Sequence, residues 1–478
     1  MTVPAGSSDS IWVLVLASAA NLMVGLDALV VSTALTEIGR ELGASIEALE
    51  WTVNAYGLSF AAFLLTAAVL GDRFGRRRVF VAGLLLFVAA SCACALASSI
   101  GWLIAARAAQ GVGAAIVMPL ALAQISAAFP PERRGWALGI YSSCAGLSTV
   151  LGPIVGGVVT QGLAWRWIFW INLPIGLVAA ALAVVRLRET FGARQAIDLP
   201  GLVLATGGAF ALVWGLVRAN AVGWGSLETL ASLAGGIVLV LLFVTFELRS
   251  AQPMVPMRFF QLRAFAAGNA AMFFLNGAFM SALFFMAQFQ QAALGAGPLT
   301  AGLRLLPWGV AVVFGARNAV GFAKQFGDAA AITLGLVVQA AGLAWIALIA
   351  DPGMAYAAMI APMILTGAGF AVAVTIAQKA VVGAVALPDI GKASGTFSTI
   401  RQLGGAFGVA LTVAGFAQAG SHATPMAFAR GFAAAVGLAA ILSLAGACAG
   451  LFLSARRRKV ATAPSAGPVV LASQDDKA

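Results

Sequence analysis

Charge is what this sequence has least of: Asp, Glu, Lys and Arg together make up 9% of 478 residues. So thin a supply cannot cover a soluble domain of useful size. Histidine is nearly missing too, with His422 alone in a loop, and the four cysteines, Cys92, Cys94, Cys144 and Cys448, all fall inside apolar runs. No ligand set for a metal or haem can be assembled from these, and disulfides are not expected. A membrane enzyme would need a His or Cys constellation, a cofactor motif or several carboxylates in one site, and none is visible. What is abundant is apolar surface. With 61% hydrophobic residues and 55 glycines, the chain reads as an all-α polytopic membrane protein. The net charge of +11 does not indicate nucleic acid, because the basic residues fall in short segments on alternate sides of apolar spans and form no stripe.

About 20 apolar residues cross a bilayer as a helix. Fourteen such spans are expected, at roughly 11–34, 51–70, 79–98, 101–124, 136–160, 166–186, 199–217, 230–248, 264–290, 300–318, 329–350, 355–380, 394–417 and 430–454. An even number puts both termini on one side. Placing them in the cytoplasm leaves Arg40, Arg166, Arg218, Arg304 and Arg430 outside, Arg107 and Arg401 within helices, and the remaining 21 of 28 Lys and Arg inside. That is the bias the positive-inside rule requires, and the reverse orientation inverts it. Residues 1–10 carry no Lys or Arg, and the first apolar run is too long for a cleaved signal, so span 1 is expected to stay attached. Residues 455–478 read as a disordered cytoplasmic tail.

Sliding the chain by 256 positions lays Gly135-x-x-x-Gly139-x-Tyr141-Ser142-Ser143 on Gly391-x-x-x-Gly395-x-Phe397-Ser398-Thr399, and Gly152 on Gly408. A slide of 252 lays Phe74-Gly75 on Phe326-Gly327. The chain therefore reads as two six-helix bundles, 11–190 and 251–454, with two inserted spans at 191–250. Duplicated bundles about a midplane site are the architecture of secondary transporters.

Five charges are packed between spans 2 and 3, in Leu70-Gly71-Asp72-Arg73-Phe74-Gly75-Arg76-Arg77-Arg78. Topology needs only the arginines there and has no use for Asp72 or the glycines. In the second repeat Lys324 and Gln325 stand where Asp72 and Arg73 stand in the first, so the pattern survives in one half. Span 5 carries Gly146 and then Gly152-Pro153-Ile154-Val155-Gly156-Gly157, where proline removes a backbone donor and glycines admit a close neighbour.

The loop at 71–78 resembles that between helices 2 and 3 of the major facilitator superfamily. Together with the span 5 glycines, which resemble an antiporter signature, it is similar to the drug:proton antiporters of that superfamily. The likeness extends through Ala106-Arg107-x-x-Gln110-Gly111-x-Gly113, Trp165-Arg166-Trp167-Ile168-Phe169-x-Ile171-Asn172-x-Pro174 and Asp198-x-Pro200-Gly201. It continues in Ala301-Gly302-x-x-x-Leu306-Pro307 and Arg401-Gln402-Leu403-Gly404-Gly405, and the fourteen-helix branch fits best. The resemblance implies a gating loop at Gly71, Asp72, Arg73, Gly75, Arg76 and Arg77, with Asp72 at the amino end of span 13 near Ser394 and Gly395 when the protein faces outward, and the loop arginines on cytoplasmic acids. It also implies a sealing helix at Gly146, Gly152, Pro153, Gly156 and Gly157, of which Gly152, Pro153 and Gly156 are expected to touch the other half. Departures are Ala68 and Val69, where the family usually has glycine and a basic residue, and the segment Ala28 to Thr36, whose polar detail differs.

Asp27 is the only acid read deep inside a span, and Glu247 lies next to a cytoplasmic end. An intramembrane carboxylate is a functional hypothesis by default. Asp27 and Arg107 each sit about six residues, roughly 9 Å, from the outer end of their spans. They can pair when Asp27 is ionised and part when it is protonated. A permanent structural salt bridge is the alternative. The resemblance implies proton coupling for both. Cavity candidates are Met23, Asn269, Phe273, Asn276, Met280 and Arg401: a Met and aromatic face with a few amides at 269–286 suits varied amphipathic molecules, and Arg401 either faces the cavity or caps nearby carbonyls. For the aromatic face, plain lipid contact is the competing reading. The function expected is proton-coupled export of lipophilic small molecules from the cytoplasm, by a monomer without cofactor other than the proton, with a narrow-range metabolite exporter as the alternative.

Overall fold

A computed structural model describes residues 8–191, 198–250, 253–385 and 389–454. The tail expected to be disordered lies outside them, as do residues 1–7. Among the described residues the α-helices are α1 (Ser8–Leu42), α2 (Ile46–Phe74), α3 (Arg76–Ala95), α4 (Ile100–Ala128), α5 (Pro131–Gly162), α6 (Trp167–Trp170), α7 (Asn172–Arg186), α8 (Leu199–Val222), α9 (Leu227–Arg249), α10 (Arg263–Ala292), α11 (Pro298–Arg304), α12 (Leu306–Phe326), α13 (Asp328–Ile349), α14 (Ala357–Gly383), α15 (Ile390–Ala419) and α16 (Pro425–Leu451). Twelve helical stretches are long and apolar enough to cross a membrane, or thirteen if the pair 46–64 and 66–74, bent by 50°, counts as one span. The fourteen expected from sequence are therefore not all counted: α2 is bent, and α5 has several side chains outside the described residues.

The connections are short, and side chains close the helix starts. Ser45, Ser99, Ser226 and Thr424 each accept a hydrogen bond from the backbone N–H three residues on, at 3.2, 3.3, 3.2 and 3.1 Å. These satisfy donors that a helix start leaves free, which matters most where lipid offers no substitute.

The internal repeat is visible in the backbone. One glycine separates α2 from α3 and another separates α12 from α13, and Gly75 and Gly327 adopt φ of +105° and +88°. Only a residue without Cβ turns that corner cheaply. Gly152 packs its helix against Leu29 of α1, and its repeat partner Gly408 packs α15 against Gly277 of α10. The same position thus brings the fifth helix of each set onto the first.

Near the loop at 71–78 the apolar core divides, with Phe80, Phe87 and Leu120 in one cluster and Phe265, Ile376 and Phe397 in another. At the opposite end a single cluster joins Leu35, Trp165 and Phe169 to Phe285, Phe416 and Phe432. The two sets of helices are fused away from the charged loop. The inserted α8 and α9 pack on each other through Gly208, Gly215 and Gly236, and Trp51 of α2 meets Phe210 and Trp214 of α8 at 5.8 and 5.6 Å. Leu227, Ile237, Leu241 and Leu248 of α9 remain exposed, as a lipid-facing helix requires.

Candidate functional site

Asp27 and Arg107 meet inside the first bundle, both about 1% exposed. Arg107 Nη1 donates to Asp27 Oδ2 at 2.6 Å and to Gln110 Oε1 at 2.6 Å, while its Nε donates to the Thr52 carbonyl at 3.1 Å. The other carboxylate oxygen accepts from Gln110 Nε2 at 2.8 Å and from Asn172 Nδ2 at 2.7 Å. Gln110 also donates to Ser91 Oγ at 2.7 Å. The Tyr56 ring lies 4.3 Å from the guanidinium carbon, within cation–π range. Helices α1, α2, α3, α4 and α7 all contribute. A buried ion pair is tolerable only when its remaining donors and acceptors are also satisfied, and here both carboxylate oxygens are. Such a network gives the Asp27 carboxylate a hydrogen-bond donor or cation at each oxygen. A proton arriving at Asp27 removes the charge that Arg107, Gln110 and Asn172 all serve.

Gln110 and Asn172 belong to motifs visible in the sequence, yet their aim at Asp27 is not legible there, 83 and 145 residues away. Glu50 is the acid the sequence reading passed over. Ser45 starts α2 earlier than the apolar run suggests, which carries Glu50 into the protein, where it is fully buried. Its Oε1 accepts from Asn54 Nδ2 at 3.1 Å, while its Oε2 and Asn54 Oδ1 have no hydrogen-bond partner. Glu247 is also buried, and it accepts from the Val255 N–H at 3.2 Å.

At the charged loop, Asp72 pairs with Arg76 one turn on, at 2.7 Å. The contact expected between Asp72 and the amino end of α15 near Ser394 and Gly395 is not among its hydrogen bonds or ion pairs. The sharp corner at Gly75 brings Arg76 back over the last turn of α2, where it takes the carboxylate. Arg77 and Arg78 are held by Glu189, which accepts from their backbone N–H groups at 2.9 and 3.3 Å and pairs with their side chains at 3.7 and 3.6 Å. Gly71 packs on Leu120, and Arg73 lies over Phe74.

The glycines of α5 divide by face. Gly152 and Gly156 lie against Leu29, Val30 and Thr33 of α1, within the same half, where contact with the other half was expected. Gly157 lies against Pro298 and Leu299 of α11, and the Pro153 carbonyl lies against Gly302. The α-carbons of successive glycines point to different neighbours at 100° per residue, so adjacent Gly156 and Gly157 serve different helices. The surroundings of Gly146 lie outside the described residues.

The cavity candidates also divide. Met23 is buried beside Gly176 and Val88 in the core of the first bundle, so it lines no cavity. Asn269 is buried and donates to the Phe265 carbonyl of its own helix. Asn276 Nδ2 donates to the Arg401 carbonyl at 2.8 Å, Phe273 meets Phe407 at 5.4 Å, and Met280 lies beside Gly405. Four of the six candidates thus gather where α10 and α15 meet.

Residues 17–409 match the profile described as the Major Facilitator Superfamily. The chain is similar to the tetracenomycin C resistance and export protein of Streptomyces glaucescens, with 34% identity over 84% of this chain and 75% of the relative. It is 36% identical to the cephamycin export protein of Amycolatopsis lactamdurans over 87% of each, and 34% identical to the multidrug resistance protein Stp of Mycobacterium tuberculosis over 81% of this chain and 72% of that one. A crystal structure of a peptide transporter in complex with sulfate superposes with a TM-score of 0.67, at 16% identity and covering 95% of this chain and 98% of that one. At that identity the likeness is one of fold.

Proposed function

The chain belongs to the Major Facilitator Superfamily, and from that premise we propose that it is a proton-coupled antiporter exporting lipophilic or amphipathic small molecules across the cytoplasmic membrane. Export is what its relatives' names state of them, in tetracenomycin C resistance and export and in cephamycin export. Alternating access is the working cycle: two bundles rock about a midplane site. The fusion of the apolar cores at the end away from the charged loop supports a conformation shut to the outside. The chain acts as a monomer with both termini cytoplasmic. It has fourteen spans, with α2 and α5 crossing the membrane beside the counted helices and α8 and α9 inserted between the bundles.

The observation that carries proton coupling is the Asp27–Arg107 pair at 2.6 Å, sealed from solvent and fully hydrogen-bonded. Protonating Asp27 leaves Arg107 without its counter-charge, so the two protonation states favour different arrangements of α1 and α4. A membrane potential supplies about 2.3 kcal/mol per charge per 100 mV, roughly a fortyfold gradient at about 1.4 kcal/mol per decade. One proton per cycle is enough for useful efflux of a neutral molecule. Narrow-range export of one natural product is the second reading, favoured by relatives named for single antibiotics. A resistance and accumulation screen in cells stripped of their own efflux pumps tests both. Several unrelated compounds cleared support the broad reading, one cleared supports the narrow reading, and none cleared overturns export.

A further inference from the structure

We propose that the place where α10 and α15 meet selects amphipathic organic anions, and that Arg401 is the residue that binds their charge. This deepens the export reading and rests on it for the route. Arg401 is partly buried, its Nε is sealed from solvent with no hydrogen-bond partner, and no ion pair joins it to a carboxylate among the described residues. Arg107 shows the contrast, being sheathed on every side by Asp27, Gln110 and the Thr52 carbonyl. A sealed guanidinium N–H without a partner, on a cation without a counter-ion, is costly to keep. Packing does not require it either, since Ala145 occupies the repeat-related position.

Its surroundings complete a site for an anion with an apolar body. Arg401 stands eleven residues, roughly 16 Å, along α15 from Ile390, which places it near mid-membrane. Asn276 fixes its backbone against α10. Phe273, Phe407 and Met280 supply polarizable walls nearby. In the other bundle, the Tyr141 hydroxyl of α5 is already turned to the Met118 carbonyl at 3.3 Å. Among the described residues no carboxylate forms an ion pair with Arg401: Asp27 pairs with Arg107, and Glu50 accepts from Asn54 on its own helix. An organic cation meets repulsion from Arg401 here, while an anion gains charge-assisted hydrogen bonds. An anionic cargo also moves outward down the membrane potential, so exchange for one proton transfers two charges per cycle. The supported gradient then rises from roughly fortyfold to about two-thousandfold per 100 mV.

The test uses two fluorophores sharing one ring system: the anion 8-anilinonaphthalene-1-sulfonate and the neutral N-phenyl-1-naphthylamine. Binding to the purified full chain in lipid nanodiscs is measured after subtracting empty discs, and the readout is the ratio of the two affinities. The wild type should favour the anion. Arg401→Gln should lower the ratio roughly tenfold to hundredfold, the range for hydrogen bonds to a charged group, and Arg401→Lys should restore most of it. A ratio unchanged in Arg401→Gln, or a wild type that favours the neutral probe, overturns the proposal. Efflux of each probe from proteoliposomes is followed separately. If the neutral probe is exported and the ratio does not respond, the anion site is wrong and export stands. If neither probe is exported while the ratio responds, the site stands and export fails.

Discussion

Gly157 of α5 lies so close to Pro298 at the start of α11 that a Cβ on it would sit 2.6 Å from the Pro298 carbonyl oxygen. Backbone cannot yield there as a flexible side chain could. Because α11 follows the inserted pair in the chain, this contact joins the two halves at the end where their cores fuse. Gly157→Leu should force α5 from α11. Overpacking costs about 1–3 kcal/mol in a rigid core, and here separation of the helices relieves it. The expected result is normal expression with a proton leak in proteoliposomes and loss of substrate accumulation. Gly156→Leu acts differently, by pressing on Val30 and Thr33 of α1 within one half, and should lower stability more than it opens a leak. If both variants leak equally, the division of the two faces is wrong.

Glu189 holds the start of α3 through two backbone N–H groups, and Gly75 beside it has φ +105°. A Cβ at position 75 would lie 2.7 Å from the Glu189 carboxyl. Gly75→Ala therefore combines a displaced carboxylate with a strained backbone, worth about 1–3 kcal/mol. Glu189→Ala removes the acceptor and the favourable charge at a helix start, about 0.3–1 kcal/mol when exposed. Both should raise hydrogen–deuterium exchange over residues 73–79, Gly75→Ala the more. Unchanged exchange in Glu189→Ala means the arginines hold the loop without it.

Spans of apolar residues, their short connections and the repeat were legible because each depends on local composition or on a match along the chain. The glycine at 75 and its echo at 327 marked two helix corners that the backbone then makes in the same way. Asp27 and Arg107 stood out because each is a charge where charge is expensive. Their sheath did not, since Gln110, Asn172 and Ser91 are polar residues common in membrane helices and gain meaning only from distance in space. Glu50 was missed by an edge effect: the apolar run begins at Trp51, but the helix begins at Ile46 because Ser45 caps it. Met23 was misassigned because it lies one turn from Asp27 on a face that looks into the bundle, away from the interface. Asp72 holds a partner one turn away in this structure, where the contact with the start of α15 was expected for the outward-facing state.

Among the described residues Glu50 has a single hydrogen-bond partner and no cation to balance it. Glutamine at this position reproduces the shape and adds a donor. Glu50→Gln should fold, and its thermal stability in detergent should match or exceed that of the wild type. Glu50→Ala leaves the Asn54 amide without its acceptor and should cost about 1–3 kcal/mol. Proton-driven accumulation measured in Glu50→Gln then decides whether this second buried carboxyl takes part in coupling. Coupling through Asp27 alone predicts that it survives.

Asp27 is the residue on which coupling turns. Asp27→Asn keeps the size of the side chain but removes the charge facing Arg107, and breaking one member of a buried pair costs about 3–5 kcal/mol. Adding Arg107→Gln should recover much of that loss, because the stranded charge goes with it, so the double variant should melt above the single one. Transport should not recover with stability, since neither protein carries the titrating group. In inverted vesicles with matched protein levels, Asp27→Asn should still bind substrate and permit downhill exchange, yet fail to concentrate it when a proton gradient is imposed. Retained accumulation in the double variant is the outcome that removes Asp27 from the proton path. It would turn the search to Glu50, which is buried two residues from the Thr52 carbonyl that Arg107 holds.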